Sequence, residues 1–305
     1  MARVSSVLLP LALLACSAHF LLPCTAANLS RYNILQNVRP EDVVWQPYPY
    51  LVMENVLPHD LYEELADAYP TAQELVSIAR NRQTAKMNNN VRYNIMATKT
   101  LQPKTKIPTI WKEFVQYHVS ADFYKEILRV FGASLADQRP DVERTRSKQY
   151  DAMKLVTRGI TDPSADLRIE CQIAMNSPVR RESKFSVRGP HHDMKIEVWA
   201  GLLYMREKKD KSTGGNLNVY SCKDGKCAEL TTEEKHARGL QEKKNHVQFD
   251  EGDLKLEATC PYKENTLAWF INTPHSVHGV TPRGVTPFAR RLVNFIGEVI
   301  GRRHG

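Results

Sequence analysis

Apolar side chains recur at helical spacing in the first half of the chain. Leu61, Leu65 and Tyr69 follow one another at intervals of four residues, which places them on one face of a helix. Pro70 would end that helix, because proline cannot donate the backbone hydrogen bond that a continuing helix needs. The pattern therefore predicts an amphipathic helix that ends before Pro70 and a second helix that begins at Thr71.

Two further segments, residues 110–118 and 121–131, show the same helical spacing. Ser120 precedes the second segment and is suited to cap it, because its hydroxyl can accept a hydrogen bond from the first turn of the helix. Gly132 follows that segment and is suited to end it. We therefore expect residues 28–145 to be mainly helical.

The second half of the chain has a different pattern. Short apolar runs alternate with loops rich in glycine, proline and charge, which is typical of antiparallel strands in a barrel or sandwich. The runs cover residues 167–175, 196–205, 217–220, 266–271 and 291–300. Since amphipathic helices need an apolar surface to cover, we expect one α+β domain, residues 28–305, in which the helices pack on a β core formed by residues 146–300.

The composition is that of an ordinary globular chain. Of 305 residues, 42% are hydrophobic and 25% are charged, with 14 glycines and 17 prolines, which excludes collagen, coiled-coil and low-complexity disordered classes. The formal net charge of +8 is mild, and much of it comes from residues 206–211 and from Arg302 and Arg303. These segments are typical of a solvated loop and a tail, so we expect no nucleic-acid partner.

The N-terminus has the pattern of a secretory signal peptide. Arg3 precedes an apolar stretch, residues 7–15, and small residues precede a cleavage point after Ala27. A membrane anchor is the alternative, but His19 and Pro23 interrupt the apolar region, whose longest clean run is shorter than the roughly 20 residues that a bilayer needs. The sequence therefore predicts a signal peptide over residues 1–27 and no transmembrane segment after its cleavage.

The compartment follows from that signal. We expect the chain to enter the secretory pathway and to reside within it or outside the cell. In a bacterial host it would be periplasmic, or lipid-anchored if residues 13–16 serve as a lipoprotein cleavage box with Cys16 as the lipidated residue. The sequence leaves the host and the final residence open.

Four cysteines lie beyond the predicted signal peptide, and an oxidising compartment favours their pairing. Cys222 and Cys227 flank an Asp-Gly turn signal, so we expect them to form a disulfide across a tight hairpin. A zinc half-site is the alternative, but no second close pair of cysteines completes it. Cys171 and Cys260 are the pair that remains.

The densest group of possible metal ligands is in residues 190–193. His191 and Asp193 are two residues apart, so an extended strand would point both side chains to one face and His192 to the other. His278 can complete a triad, with His275 as the alternative. Two imidazoles and one carboxylate on one side of a metal leave three positions for small ligands, which suits non-haem Fe(II).

Competing enzyme classes have little sequence support. The chain has no Gly-x-Ser-x-Gly nucleophile motif, no His-Glu-x-x-His zinc motif and no Gly-x-Gly-x-x-Gly nucleotide motif. A His-x-Asp motif alone is common by chance, so the order of the surrounding motifs has to decide. That order is strand, His-x-Asp, strand, Gly-Gly, strand, His-Gly-Val and finally two arginines on the last apolar strand.

This order resembles that of the Fe(II)/2-oxoglutarate-dependent dioxygenases, particularly their prolyl 4-hydroxylase-like branch. The resemblance covers about residues 150–300. It rests on residues 190–193, 201–205, 214–220, 272–280 and 290–295. It implies a double-stranded β-helix (jelly-roll) core with an N-terminal helical layer, iron bound by His191, Asp193 and His278, and the cofactors Fe(II), 2-oxoglutarate and O2, with ascorbate in support.

The resemblance also implies a cationic anchor for the far carboxylate of 2-oxoglutarate. Neighbouring residues on a strand face opposite ways, so either Arg290 or Arg291 would point inward, and we favour Arg290. Tyr204 could reach the same carboxylate or an iron-bound ligand, although such a tyrosine is more often part of the core. Gln172 and Asn176 could line the same pocket or be structural.

The function that the sequence favours is hydroxylation of a peptidyl, prolyl-like substrate or of a glycan in the secretory or extracytoplasmic compartment. A secreted location favours peptides and glycans as partners. Two alternatives stay open: a non-catalytic barrel that binds an extracellular peptide or glycan, and an O2-independent, cupin-like metalloenzyme. Substrate identity, hydroxylation position and oligomeric state are not readable from the sequence.

Overall fold

A computed structural model describes residues 29–80, 87–181, 189–225, 227–237 and 247–301. The predicted signal peptide, residues 1–27, lies outside the described residues. Within the described part of the chain, no helix combines the length and the apolar character that a membrane span requires.

The described residues form helices and two β-sheets, so the α+β class is confirmed. The helices are α1 (His59–Asp67), α2 (Ala72–Arg80), α3 (Ala97–Thr100), α4 (Thr109–His118), α5 (Ala121–Gln138), α6 (Pro140–Arg146) and α7 (Thr232–Ala237). The strands are β1 (Tyr50–Glu54), β2 (Arg92–Ile95), β3 (Leu155–Thr157), β4 (Leu167–Asn176), β5 (Glu197–Tyr204), β6 (Leu217–Cys222), β7 (Leu254–Cys260), β8 (Thr266–Ile271), β9 (His278–Val280) and β10 (Arg290–Val299).

The larger sheet has the order β1-β8-β5-β10-β4-β2, with β3 paired in parallel to β4. The smaller sheet has the order β7-β6-β9. Strands of both sheets contribute to one apolar cluster, so the two sheets face each other across it. Its buried members are Tyr48, Ala174, Ala200, Leu202, Tyr204, Leu217, Val219, Cys260, Tyr262, Ala268, Phe270 and Leu292.

The helical layer covers the other face of the larger sheet. Phe131 of α5 stacks on Trp269 of β8 at 5.6 Å between ring centroids, and Phe114 of α4 lies 6.4 Å from Phe295 of β10. Alternation along β10 produces the two faces, because Phe295 points to the helices while Leu292 points between the sheets. The predicted packing of N-terminal helices on a β core is therefore present.

Helix α5 does not end at Gly132, so that prediction is wrong. The side chain of Ser120 caps the helix as expected, by accepting a hydrogen bond from the backbone N–H of Phe123. The helix then passes through Gly132 and continues to Gln138. Leu135, in the continuing turn, is fully buried, and this burial outweighs the roughly 1 kcal/mol that a glycine costs inside a helix.

The expectation of a mainly helical first half was incomplete. Strands β1 and β2, which lie at the two ends of the larger sheet, come from this half. Strand β2 has only four residues, too few for a clear alternation. Strand β7 was missed in the second half because four of its seven side chains are exposed, and three of these are polar.

Cys222 and Cys227 form the predicted disulfide, with their Cα atoms 5.2 Å apart. The bond closes a tight turn at the end of β6, in which Asp224 and Gly225 have positive φ angles of 53° and 71°. Cys171 and Cys260 are buried, free thiols. They belong to the apolar clusters on opposite faces of the larger sheet, so the remaining pair does not form a bond.

Candidate functional site

The backbone brings His191 and His278 directly opposite each other. The N–H of His191 donates to the carbonyl of His278 at 2.8 Å, and the N–H of His278 donates to the carbonyl of His191 at 3.1 Å. His278 begins β9, so this bridge attaches the His-x-Asp segment to the smaller sheet. The two imidazoles are therefore held side by side by main-chain hydrogen bonds.

Asp193 lies between the two imidazoles. Its Oδ1 is 3.6 Å from Nε2 of His191 and its Oδ2 is 3.4 Å from Nε2 of His278. One ligand atom from each of the three residues lies within 4.8 Å of the others. The predicted spacing of two residues thus places the carboxylate on the same side as His191.

Hydrogen bonds on the far side of each ring set its tautomer. Nδ1 of His191 is 2.8 Å from the carbonyl oxygen of Gly189, and Nδ1 of His278 is 3.0 Å from that of Ser276. A carbonyl oxygen only accepts, so each Nδ1 carries the proton and donates it. A neutral imidazole then has its lone pair on Nε2, the form in which histidine binds a metal.

The donor set fits a first-row divalent metal such as Fe(II). Both histidines are buried, at 3% and 5% exposure, and the ring of Phe270 lies 4.4 Å from that of His278. Two nitrogen donors and one carboxylate, grouped on one side, match the arrangement that non-haem iron enzymes use. The histidine and aspartate side chains that the sequence singled out are therefore brought together.

The alternative third ligand, His275, is exposed and lies outside this cluster. His192 points away from the cluster, as a strand requires, and its ring packs 4.7 Å from that of Phe249. Burial lowers the pKa of His192 to about 4. His192 therefore packs as a neutral side chain, as the alternation predicted.

Asn272, at the end of β8, connects the two ligand-bearing segments. Its Nδ2 donates to the carbonyls of Met194 and Glu197, which follow Asp193 by one and four residues. Its Oδ1 accepts a hydrogen bond from the hydroxyl of Ser276, the residue whose carbonyl receives Nδ1–H of His278. No sequence pattern indicated this role, since hydrogen bonds to carbonyls follow no residue pattern.

A buried arginine from the helical layer reinforces the same place. Arg139, between α5 and α6, donates from Nη1 to the carbonyls of Glu197 and Asn272 at 2.6 and 2.7 Å, and from Nη2 to the carbonyl of Lys195 at 3.0 Å. Asp141 pairs with its guanidinium at 2.9 Å. Sequence reasoning missed Arg139, whose one guanidinium holds the backbone on both sides of the site.

The side chain of Arg290 points between the sheets. Its Nε donates to the carbonyl of Gly215 at 2.7 Å and its Nη2 donates to the hydroxyl of Tyr204 at 2.9 Å. The residue is 2% exposed, and among the described residues no carboxylate lies within ion-pair distance of it. A buried guanidinium without a carboxylate partner is suited to bind an anionic ligand.

Arg291 faces the other way, as neighbouring residues on a strand must. Its Nε donates to the carbonyl of Met205, its guanidinium lies 4.9 Å from the ring centre of Tyr69, and Glu207 is 3.7 Å away. Of the two arginines, Arg290 therefore shares the space between the sheets with Tyr204. Burial raises the pKa of Tyr204, so its hydroxyl stays protonated and can donate a hydrogen bond.

Polar side chains lie on the same face of the larger sheet as Arg290. Asn176 is opposite Arg290 in the β4–β10 register, and Nη1 of Arg290 is 3.5 Å from its Oδ1. Gln172 is opposite Asn294 and accepts a hydrogen bond from it at 3.4 Å. Gln172 and Asn176 thus face the space between the sheets.

The His-Asp-His cluster and Arg290 lie at different levels of this space. Phe270, which contacts His278, is opposite Ala200 on β5, whereas Tyr204, which contacts Arg290, is four positions further along that strand. At the usual rise of a strand this separation is about 13 Å.

No protein-family profile matches the chain, and no curated protein matches it. Among solved structures, a prolyl 4-hydroxylase from Pseudomonas putida is 14% identical, with 83% of this chain and 93% of that chain covered and a TM-score of 0.38. A prolyl 4-hydroxylase from Phytophthora capsici is 11% identical, with 89% and 65% covered and a TM-score of 0.42. A putative oxygenase from Shewanella oneidensis is 11% identical, with 89% and 87% covered and a TM-score of 0.42.

Two properties of the chain itself bear on its chemistry. The motif order of the sequence resembles that of the Fe(II)/2-oxoglutarate-dependent dioxygenases, and the folded chain brings His191, Asp193 and His278 into one cluster. The metal-ligand part of that resemblance is thereby supported by the folded chain.

Proposed function

We propose that the chain is an Fe(II)- and 2-oxoglutarate-dependent oxygenase. The observation that carries the proposal is the convergence of His191, Asp193 and His278 with both Nε2 atoms turned towards the carboxylate. The buried Arg290, with the hydroxyl of Tyr204 beside it, supports the proposal because it is suited to hold a second acidic group.

In this proposal, His191, Asp193 and His278 bind Fe(II). The bound iron would supply the redox chemistry that activates O2. The overall reaction takes 2-oxoglutarate, O2 and a substrate C–H bond to succinate, CO2 and a hydroxylated product. Arg290 binds the far carboxylate of 2-oxoglutarate through its guanidinium, and the hydroxyl of Tyr204 donates a hydrogen bond to the same group. The chain thus positions the cosubstrate and excludes water from it.

We also propose that the two sheets are the halves of a double-stranded β-helix. From β5 to β10 the chain passes between the larger and the smaller sheet several times, and the strands of this segment pair with one another in an antiparallel manner. In the proposed organisation, residues 28–305 form one oxygenase domain, with 28–145 as the helical layer and 146–300 as the core.

The substrate part of the proposal follows from the compartment. A signal peptide over residues 1–27 would direct the chain to the secretory or extracytoplasmic space, where peptidyl proline-like residues and glycans are available. We propose one of these as the hydroxylated group. Ascorbate would support turnover by keeping iron reduced.

The test is O2-dependent conversion of 2-oxoglutarate to succinate by the purified chain with Fe(II) and ascorbate, followed by mass spectrometry of candidate peptides and glycans. Each hydroxylated product gains one oxygen atom. We expect His278→Ala to abolish both readouts and His275→Ala, the matched control, to retain them.

Three results would contradict the proposal. Equal turnover by the wild type and His278→Ala would remove the metal assignment. Turnover in the absence of O2 would indicate a cupin-like metalloenzyme instead. Tight binding of a peptide or glycan without succinate formation would indicate a non-catalytic module.

A further inference from the structure

Three arginine side chains surround the buried ring of Tyr262. The guanidinium carbons of Arg206, Arg290 and Arg283 lie 5.1, 5.4 and 5.9 Å from the ring centre. Arginine stacks favourably on an aromatic face, so the ring explains how the cations are accommodated. It does not neutralise their charges.

One carboxylate serves this group among the described residues. Asp210, whose side chain is fully buried, lies 3.6 Å from Nη2 of Arg283 and 4.0 Å from Nε of Arg206. No described carboxylate lies within ion-pair distance of Arg290. Asp210 thus pairs with two of the three cations, and no described carboxylate pairs with the third, an arrangement that a bound anion would stabilise.

Arg283 itself has unused hydrogen-bonding capacity. Its side chain is 2% exposed, and its Nη2 donates to the carbonyl of Phe288 at 3.2 Å. Its Nε and Nη1 have no hydrogen-bond partner among the described residues. Burial, with further contributions from Arg290 and Arg206, lowers the pKa of Arg283. Buried N–H groups of a cation without partners cost free energy unless a ligand accepts from them.

Gly215 brings Arg283 and Arg290 next to each other. A Cβ atom at Gly215 would lie 3.2 Å from Cδ of Arg283 and 3.2 Å from Cδ of Arg290, so both side chains pass over its bare Cα atom. Gly215 also has a φ angle of +80°, which a residue with a side chain rarely adopts. The Gly-Gly turn of the sequence therefore makes room for two arginines.

We propose that Arg283 is a second binding residue for the far carboxylate of 2-oxoglutarate, acting together with Arg290 in a two-arginine cradle above Tyr262. The inference rests on the proposed function and adds a residue that the motif order does not contain. Arg290 and Tyr204 hold the carboxylate from one side, and Arg283 donates from Nε and Nη1. Asp210 orients Arg283 and competes with the ligand for its charge.

The experiment is anaerobic calorimetry on the full chain loaded with Fe(II), titrated with 2-oxoglutarate and, separately, with pyruvate. Pyruvate has the same 2-oxo acid group and no far carboxylate. We expect Arg283→Gln to weaken 2-oxoglutarate binding by roughly tenfold or more, as for the loss of a charged hydrogen bond, and to leave pyruvate binding unchanged. Arg290→Gln should act in the same direction and more strongly.

Arg291→Gln is the matched control, because Arg291 adjoins Arg290 on β10 and faces the opposite side. It should preserve the ratio of the two affinities. Asp210→Asn is an independent variant that frees Arg283 from its competitor. We expect it to tighten 2-oxoglutarate binding relative to pyruvate, an effect that a purely structural role of the Asp210–Arg283 pair does not produce.

An unchanged ratio of 2-oxoglutarate to pyruvate affinity in Arg283→Gln, with the ratio reduced in Arg290→Gln, would overturn the second-arginine assignment and leave the oxygenase proposal standing. Absence of 2-oxoglutarate binding by the wild type in the presence of Fe(II) would overturn both. A variant that misfolds loses binding of both ligands, so the ratio separates misfolding from the specific effect.

Discussion

Acidification should destabilise this protein through one buried histidine, His118. The residue ends α4 and is fully buried among the rings of Phe114, Phe123 and Phe295, at centroid distances of 4.1, 4.5 and 5.1 Å. Its Nδ1 lies 2.8 Å from the carbonyl of Phe114, and its Nε2 has no hydrogen-bond partner among the described residues. These apolar surroundings therefore favour the neutral imidazole over the charged form.

Burial lowers the pKa of His118 from 6.5 to about 3 in the folded state. The unfolded chain, in which the ring is solvated, therefore binds the extra proton first as the pH falls. Stability contributed by the neutral ring is fully present above pH 6.5 and is lost as the pH decreases towards 3. The free energy of unfolding should fall by about 1.4 kcal/mol per pH unit in this window, and by about 2 kcal/mol between pH 7 and pH 5.

The measurement is urea unfolding of the wild type and of His118→Leu at several pH values between 7 and 5. Leucine keeps an apolar side chain of similar size in the pocket and does not titrate. Tyr117, the titratable ring in contact with His118, stays neutral here, because burial raises its pKa to about 12. Groups such as His191 and His278 are common to both proteins, so their contributions cancel in the difference.

We expect the stability difference between wild type and His118→Leu to shift by about 2 kcal/mol over this range in favour of the variant at low pH. Parallel stability curves for the two proteins would refute the reasoning. They would mean that water or a rearranged neighbour solvates the charged ring in the folded state.

Three further sets of variants test separate parts of the structure. Arg139→Met should remove the hydrogen bonds to the carbonyls beside the metal ligands and lower the free energy of unfolding by about 3 kcal/mol. It should also weaken Fe(II) binding measured by calorimetry, and an unchanged metal affinity would contradict a positioning role of Arg139. Joint replacement of Cys222 and Cys227 by serine should lower the free energy of unfolding in urea by about 2 kcal/mol, since the disulfide closes a short loop. A loss of stability near zero would contradict a stabilising role of this disulfide. Ser120→Ala should lower the free energy of unfolding by about 1 kcal/mol, because the α5 cap is lost. Ser120→Thr keeps the hydroxyl and should retain most of the stability that the cap provides.

The sequence was sufficient for those parts of the site that depend on local periodicity. The spacing of His191 and Asp193 directs both side chains to one face in any extended segment. Arg290 and Arg291 could not be separated by the motif order alone. The register of β10 decides between them, because Arg290 shares its face with Leu292 and lies beside Tyr204 on β5.

The rest of the site depends on contacts between distant segments. Arg139 and Asn272 act by donating to backbone carbonyls, and a carbonyl looks the same in every residue type. Similarly, the extension of α5 past Gly132 depends on the apolar surface that the larger sheet offers to Leu135. Such effects are visible once tertiary packing is known, whereas propensity and spacing describe each segment by itself.

The clamp formed by Arg139 has a consequence for protein engineering. A fragment that starts at residue 146 would retain every proposed metal ligand and every strand from β3 to β10, yet the carbonyls of Lys195, Glu197 and Asn272 would lose their shared cation. The two ligand-bearing segments would then be held by the backbone bridge between His191 and His278 and by Asn272, without the cation that reinforces them. A minimal catalytic fragment, or a graft of this centre onto another scaffold, must therefore carry the α5–α6 corner with it.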